Sequence, residues 1–157
     1  MNDIEQNLIK NKIKLPKATA PIANYNPFVI TNNIVFISGQ IPISEGNVLY
    51  MGKVGIDISI ETAKKAAELC MLNSFAILKN AVQNNLLSIK KCIKINVFIN
   101  SVDTFYEQPI VANGASDLIT KIMGANSNHS RSAVSVNSLP KNAAVEIDSV
   151  FEISIDR

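Results

Sequence analysis

Residues 131–146, RSAVSVNSLPKNAAVE, set Arg131 and Glu146 on two strand-like runs joined by a Leu139-Pro140-Lys141-Asn142 turn. Val134 and Val136 alternate with Ala133 and Ser135, so a strand here would point Arg131 away from the valine face. In the second run Val145 and Ile147 alternate with Glu146 and Asp148, which sets Glu146 on the polar side as well. An arginine fork grips a carboxylate through two parallel hydrogen bonds, and a glutamate can hold a water or take its proton. Together the two residue types suit the binding and hydrolysis of a small acid. A strand-end salt bridge, common and weakly stabilising, would use the same pair.

The rest of the composition narrows the alternatives. A formal charge of +2 on 157 residues, with adjacent lysines only at Lys64-Lys65 and Lys90-Lys91, argues against a nucleic-acid surface. Cys70 and Cys92 fall in an expected helix and an expected strand with no CxxC spacing, which makes them reduced core residues and predicts no metal site. The first residues carry acids and no long apolar run, unlike a secretory signal or transit peptide. No segment reaches the roughly 18 apolar residues of a membrane span, so a soluble, cytoplasmic protein is expected.

The elements that must position Arg131 and Glu146 follow from periodicity. Residues 1–24 read as a polar lead ending in a Pro16 to Pro21 connector, and the whole chain, 1–157, as one domain. Residues 28–31 and 34–38 form a hairpin around Asn32-Asn33, since asparagine tolerates the positive φ of tight turns. Residues 42–56 are rich in turn formers and make a long connection, functional or part of an interface. Ser59 is a plausible N-cap for a helix reaching about residue 82, with Ala63, Ala66, Ala67, Cys70, Ile77, Leu78 and Ala81 at helical spacing. Alternation over 93–99 predicts a half-buried strand. A second helix runs from Pro109 to Met123 with Gly124 beyond it, although Gly114 inside costs about 1 kcal/mol against alanine. Strands at 132–138 and 144–154 bring the placed ranges to five, and the α+β fold is expected as a six-stranded sheet with both helices on one face. The other face would need cover, and a chain that is 47% hydrophobic and only 18% charged agrees with an oligomer.

Four segments in this order resemble the RidA/YjgF/UK114 family of endoribonuclease L-PSP-like proteins: APIANY at 20–25, VFISGQIP at 35–42, VFIN at 97–100, and residues 131–147 with their Arg131, Leu139-Pro140 and Val145-Glu146-Ile147. The resemblance spans nearly the whole chain. It implies a chorismate-mutase-like homotrimer with a mixed sheet and with sites between subunits. It further implies cofactor-independent hydrolysis of 2-imino or enamine acids, such as 2-iminopropanoate and 2-aminoacrylate, to 2-keto acids and ammonia. Carried over position by position, Arg131 would clamp the substrate carboxylate with help from the backbone amide of Ala133. Glu146 would position or activate water, and Tyr25, Ser38 and Gly39 would line the pocket, Tyr25 coming from the neighbouring subunit.

Three departures stand out. Ala133 replaces a cysteine of the best-known members, which removes thiol chemistry. The 42–56 connection is longer, and NGASDL at 113–118 replaces the usual second-helix sequence, which places the chain in a longer branch. His129, the only histidine, lies two residues before Arg131 and reads as a polar loop residue or as an acid–base group. Asn113 and Asp117, at i and i+4 on one helix side, read as structural or as a branch-specific site. Tyr25 reads either as a pocket wall or as a buried anchor. A non-catalytic binder of small carboxylates would use the same arginine. A ribonuclease or translation inhibitor finds less support, for want of a two-histidine or histidine-lysine set.

Overall fold

A computed structural model describes residues 3–18 and 24–154. Helix α1, Asp3–Lys10, precedes strands β1 (Phe28–Thr31), β2 (Ile34–Gln40), β3 (Ile43–Ser44) and β4 (Asn47–Val48). Helix α2 (Ile60–Ala81), strand β5 (Ile89–Asn100), helix α3 (Gln108–Met123) and strands β6 (Ser130–Val136) and β7 (Val145–Ile153) follow. The main sheet has five strands in the order β1-β2-β7-β5-β6, antiparallel except for the β5–β6 pair. The expected count of six is not met: the main sheet holds the five strands whose ranges periodicity placed, and β3 and β4 form a separate two-stranded hairpin.

That hairpin also changes the reading of residues 42–56. The connection is built, not loose. Val54 bonds the Asn100 carbonyl at 2.8 Å, and Lys53 Nζ donates to Asn100 Oδ1 at 3.0 Å and to the Asn137 carbonyl at 2.5 Å, which ties the segment to the ends of β5 and β6.

Helix α2 forms where the alanine spacing expects it. Ser59 caps it, its hydroxyl accepting from the Thr62 amide at 3.2 Å, and Ala63, Ala66, Ala67 and Cys70 are fully buried. Small residues on this face let α3 cross closely. At Gly114 a β-carbon would overlap the Lys64 backbone carbonyl, so the glycine that weakens α3 locally is required by the helix crossing.

The lead is not merely polar. Ile4 is buried and Leu8, one turn on, packs against the core, while Asn7 and Asn11 donate to the carbonyls of Ile122 and Lys121 at 3.1 and 3.2 Å. Those carbonyls end α3 and have no partner within their own helix, so α1 serves as its C-terminal cap. Among the described residues three α-helices therefore stand where two were expected. Pro21 and residues 20–23 of the first resembling segment lie outside the described residues.

One face of the sheet carries the core. Val35 and Ile37 of β2, Ile95, Val97 and Ile99 of β5, and Val145, Ile147 and Phe151 of β7 point toward α2 and α3, and Phe75 of α2 meets Phe151 with ring centroids 5.5 Å apart. Cys70 and Cys92 are free and buried, as expected; burial raises both thiols, Cys92 to about 12. The opposite face carries Val29, Phe36, Phe98, Val134 and Val150 among polar residues, and no element of the chain covers it among the described residues.

Candidate functional site

Strand β6 is an edge strand whose two sides divide the chemistry. Ala133 packs on the core, and Ser135 Oγ accepts from Gln108 Nε2 of α3 at 3.0 Å, so the side shared by 131, 133 and 135 faces the helices. Arg131 lies on that side. Its Nη1 donates to Asn113 Oδ1 at 2.9 Å and to Ser116 Oγ at 3.1 Å, both on α3. The exposed valine side belongs to the uncovered face, where Val134 pairs with Phe98.

Glu146 lies on that other face. Its neighbours Val145 and Ile147 are fully buried against the helices, so Glu146 and Asp148 point away from them, and Glu146 sits opposite Phe98 in the β5–β7 register. The expectation that Arg131 and Glu146 share one polar side is therefore corrected. The valines of β6 do not belong to the core, because α3 covers this edge with hydrogen-bonding side chains; β7, in the middle of the sheet, keeps the usual apolar alternation. Within one chain a salt bridge between the two is excluded by the same geometry. Among the described residues the sole ion pair is Lys64–Glu61, and the Arg131 guanidinium has no carboxylate partner.

Beside Glu146 the chain places Gly39, with Ser38 next to it in β2. Gly39 lies against it so closely that a β-carbon there would overlap the carboxyl group. Ser38 and Gly39 occupy the irregular stretch of the β2–β7 pairing between Ile37 and Gln40, which opens space for the glutamate. Ser38 Oγ donates to the Asn26 carbonyl at 2.7 Å and so ties down the bend that carries Tyr25, itself 47% exposed. Tyr25 is thus no buried anchor in the single chain. Asp148 accepts from Asn96 Nδ2 at 2.7 Å, whereas the Glu146 carboxyl has no hydrogen-bond partner among the described residues. Burial, and then the negative charge of Asp148, push Glu146 above its ordinary value.

Two residues at Arg131 exceed what the sequence suggested. His129 is not a bystander: its Nε2 lies 3.0 Å from Ser116 Oγ and its Nδ1 2.6 Å from the Ser127 carbonyl. Ser116, absent from the residues expected at the site, joins Arg131 to His129. Its signal was the i, i+3 spacing with Asn113, which puts both on the helix face toward β6, while Asp117 is exposed. Among the described residues no three His, Cys, Asp or Glu side chains gather as a metal set would.

The YjgF/chorismate-mutase-like endoribonuclease family model matches residues 5–152. The chain belongs to this family. Protein TCP17 of Trypanosoma cruzi is 38% identical over 152 residues, covering 96% of this chain and 94% of its own. The crystal structure of Atu1372 from Agrobacterium tumefaciens, a protein of unknown function, superposes with a TM-score of 0.89 at 43% identity, over 97% of this chain and 93% of that one. A 2-iminobutanoate/2-iminopropanoate deaminase of Dermatophagoides farinae is 29% identical, over 92% of this chain and 97% of its own. This YjgF-family member thus keeps the α+β fold of its relatives, with three helices and a mixed sheet. No helix of the described residues is long and apolar enough to cross a membrane.

Proposed function

We propose that the chain is a hydrolytic deaminase of 2-imino and enamine acids, releasing a 2-keto acid and ammonia at a site shared by two copies of the chain. The observation that carries this reading is the unpaired cation of Arg131: Nη1 is anchored by Asn113 and Ser116, and no carboxylate of the described residues neutralises the guanidinium. A guanidinium fixed on one side and free on the other is prepared for an incoming carboxylate. Small-molecule imine chemistry in a related protein supports the choice of substrate class.

The opposite-face arrangement supports a shared site. A single chain does not bring Glu146 to Arg131, so a ligand touching both requires a second copy whose Tyr25, Ser38, Gly39 and Glu146 approach the edge strand. The uncovered sheet face, with Phe36 and Val134 each 47% exposed, supplies apolar surface for that association, and a homotrimer is the assembly we propose.

The reaction needs no cofactor on this reading. A protonated imine carbon already accepts nucleophiles, so the protein has to orient the acid and deliver water. Arg131 fixes the plane of the carboxylate, with Ala133 beside it on the same side of β6. Glu146 takes a proton from water as its oxygen adds to the C=N carbon; the raised proton affinity of this half-buried carboxyl favours that transfer. Ammonia then departs as the C–N bond breaks and the carbonyl forms.

The test is ammonia release from freshly generated 2-iminopropanoate by wild type and Arg131→Ala. Clearance that disappears in the variant supports the reading, and equal rates refute it. Thermal stabilisation by 2-oxobutanoate without turnover would make the chain a carboxylate binder instead.

A further inference from the structure

We propose that Ser116 and His129 are the proton-accepting pair of the Arg131 site, which rests on the deaminase reading and extends it to residues outside the expected set. The hydrogen bonds assign a direction to the chain of contacts. The Ser127 carbonyl can only accept, so His129 Nδ1 carries the hydrogen of the 2.6 Å bond. Nε2 of the neutral ring is then bare, and it accepts from the Ser116 hydroxyl at 3.0 Å. Ser116 Oγ in turn receives Arg131 Nη1 at 3.1 Å through one lone pair. A second lone pair remains on Oγ, next to the cation that would hold the substrate.

This is the arrangement of a hydroxyl polarised by an oriented base: hydroxyl, base and orienting group each lie within hydrogen-bond reach of the next. Ser116 lies in the middle of α3, where the backbone amides are engaged within the helix, so no pair of free amides is at hand to stabilise an acyl oxyanion. Proton transfer, not covalent attack, is the chemistry this position supports.

The deaminase reaction has a place for it. After water adds and Glu146 takes the proton, the carbinolamine nitrogen must be protonated and its hydroxyl deprotonated before C–N cleavage. Glu146 returns its proton to the nitrogen. The carbinolamine hydroxyl passes its proton to Ser116 Oγ as the Ser116 hydrogen moves to His129 Nε2. The C=O bond forms, the C–N bond breaks, ammonia leaves, and His129 releases the proton to ammonia or solvent. One base acts on each side of the substrate, His129 from the arginine-bearing chain and Glu146 from its neighbour.

The experiment uses the full chain as wild type, Arg131→Ala, Ser116→Ala, His129→Gln and His129→Ala, with two readouts. Thermal stabilisation by 2-oxobutanoate measures carboxylate binding, and clearance of 2-iminopropanoate measures turnover. His129→Gln is expected to keep 2-oxobutanoate binding within about twofold while kcat falls about 10²-fold, the typical worth of a positioned acid–base group, and Ser116→Ala, which also removes one anchor of Arg131, is expected to lose far more in kcat than in binding. Added imidazole is expected to raise the rate of His129→Ala, which a purely structural histidine would not show. Full-rate Ser116→Ala or His129→Gln beside an inactive Arg131→Ala overturns the pair alone. Equal loss of binding and turnover in both variants, with no imidazole rescue, also overturns it as a structural contact. Wild-type rate in Arg131→Ala, or no clearance by wild type, removes the clamp reading and the pair with it.

Discussion

The two polar sites of this sheet are built in opposite ways. On the helix side, Arg131 sits in a continuous line of hydrogen bonds with Asn113, Ser116 and His129, set by the packing of α3 on β6. On the uncovered side, Glu146 is held by shape: Gly39 makes room, the β2 irregularity opens beside it, and no hydrogen bond fixes the carboxyl among the described residues. The first site is complete in orientation but lacks an anion. The second has an anion of raised proton affinity, and its surroundings are unfinished. Each supplies what the other lacks, which is the physical case for two copies of the chain acting together.

The largest effect should come from the completed side. Arg131→Ala removes the cation and is expected to lower kcat/KM by about 10²-fold or more, and Arg131→Lys should recover little, because a point charge does not fix the carboxylate plane. Since Arg131 is only half-buried, the melting temperature should scarcely move, and steady-state kinetics with a melting curve check both statements. A Lys variant of near wild-type rate would break the distinction between geometry and charge.

On the uncovered side, Phe36→Asp or Val134→Asp places a charge on exposed surface of the single chain, where it should cost little stability. If the face is an interface, sedimentation will show dissociation to monomers together with loss of imine clearance. A monomeric wild type would break the comparison at its root. Between the layers, Gly114→Ala should cost about 1–3 kcal/mol by forcing α3 away from the Lys64 carbonyl, lowering the melting temperature by several degrees.

The smallest effect is electrostatic. Burial and Asp148 raise the folded-state value of Glu146 above its unfolded one, so the contribution of this group to stability is present at low pH and is lost as pH rises through the raised value. Glu146→Gln should therefore melt like wild type below the ordinary carboxylate range and become relatively more stable as pH rises above it. Denaturant titrations at several pH values test that sign; a variant that loses stability relative to wild type on going to neutral pH contradicts it.

How far the sequence disclosed this follows the strength of its periodicities. Helix α2 was legible because buried alanines recur at helical spacing behind a serine cap, and β7 because it alternates in the middle of the sheet. Helix α1 was hidden, since Ile4 and Leu8 alone mark its buried side and its asparagines matter only once the end of α3 lies beside them. At β6 alternation misled: Val134 resembled a core position, yet an edge strand can turn its valines outward when the facing helix presents Asn113 and Ser116. Arg131 and Glu146 were therefore expected on one polar side and stand on opposite faces of the sheet. Ser116 escaped because its i, i+3 spacing with Asn113 gains meaning only once α3 crosses β6.

Complementation between chains tests the shared site most directly. Arg131→Ala and Glu146→Gln are each expected to be inactive alone, and are unfolded together and refolded as a mixture. With Arg131 supplied by one copy and Glu146 by its neighbour, random assembly of equal amounts in a cyclic oligomer leaves about a quarter of the sites intact, and that share of wild-type activity should return. A mixture as inactive as its two components would contradict the account.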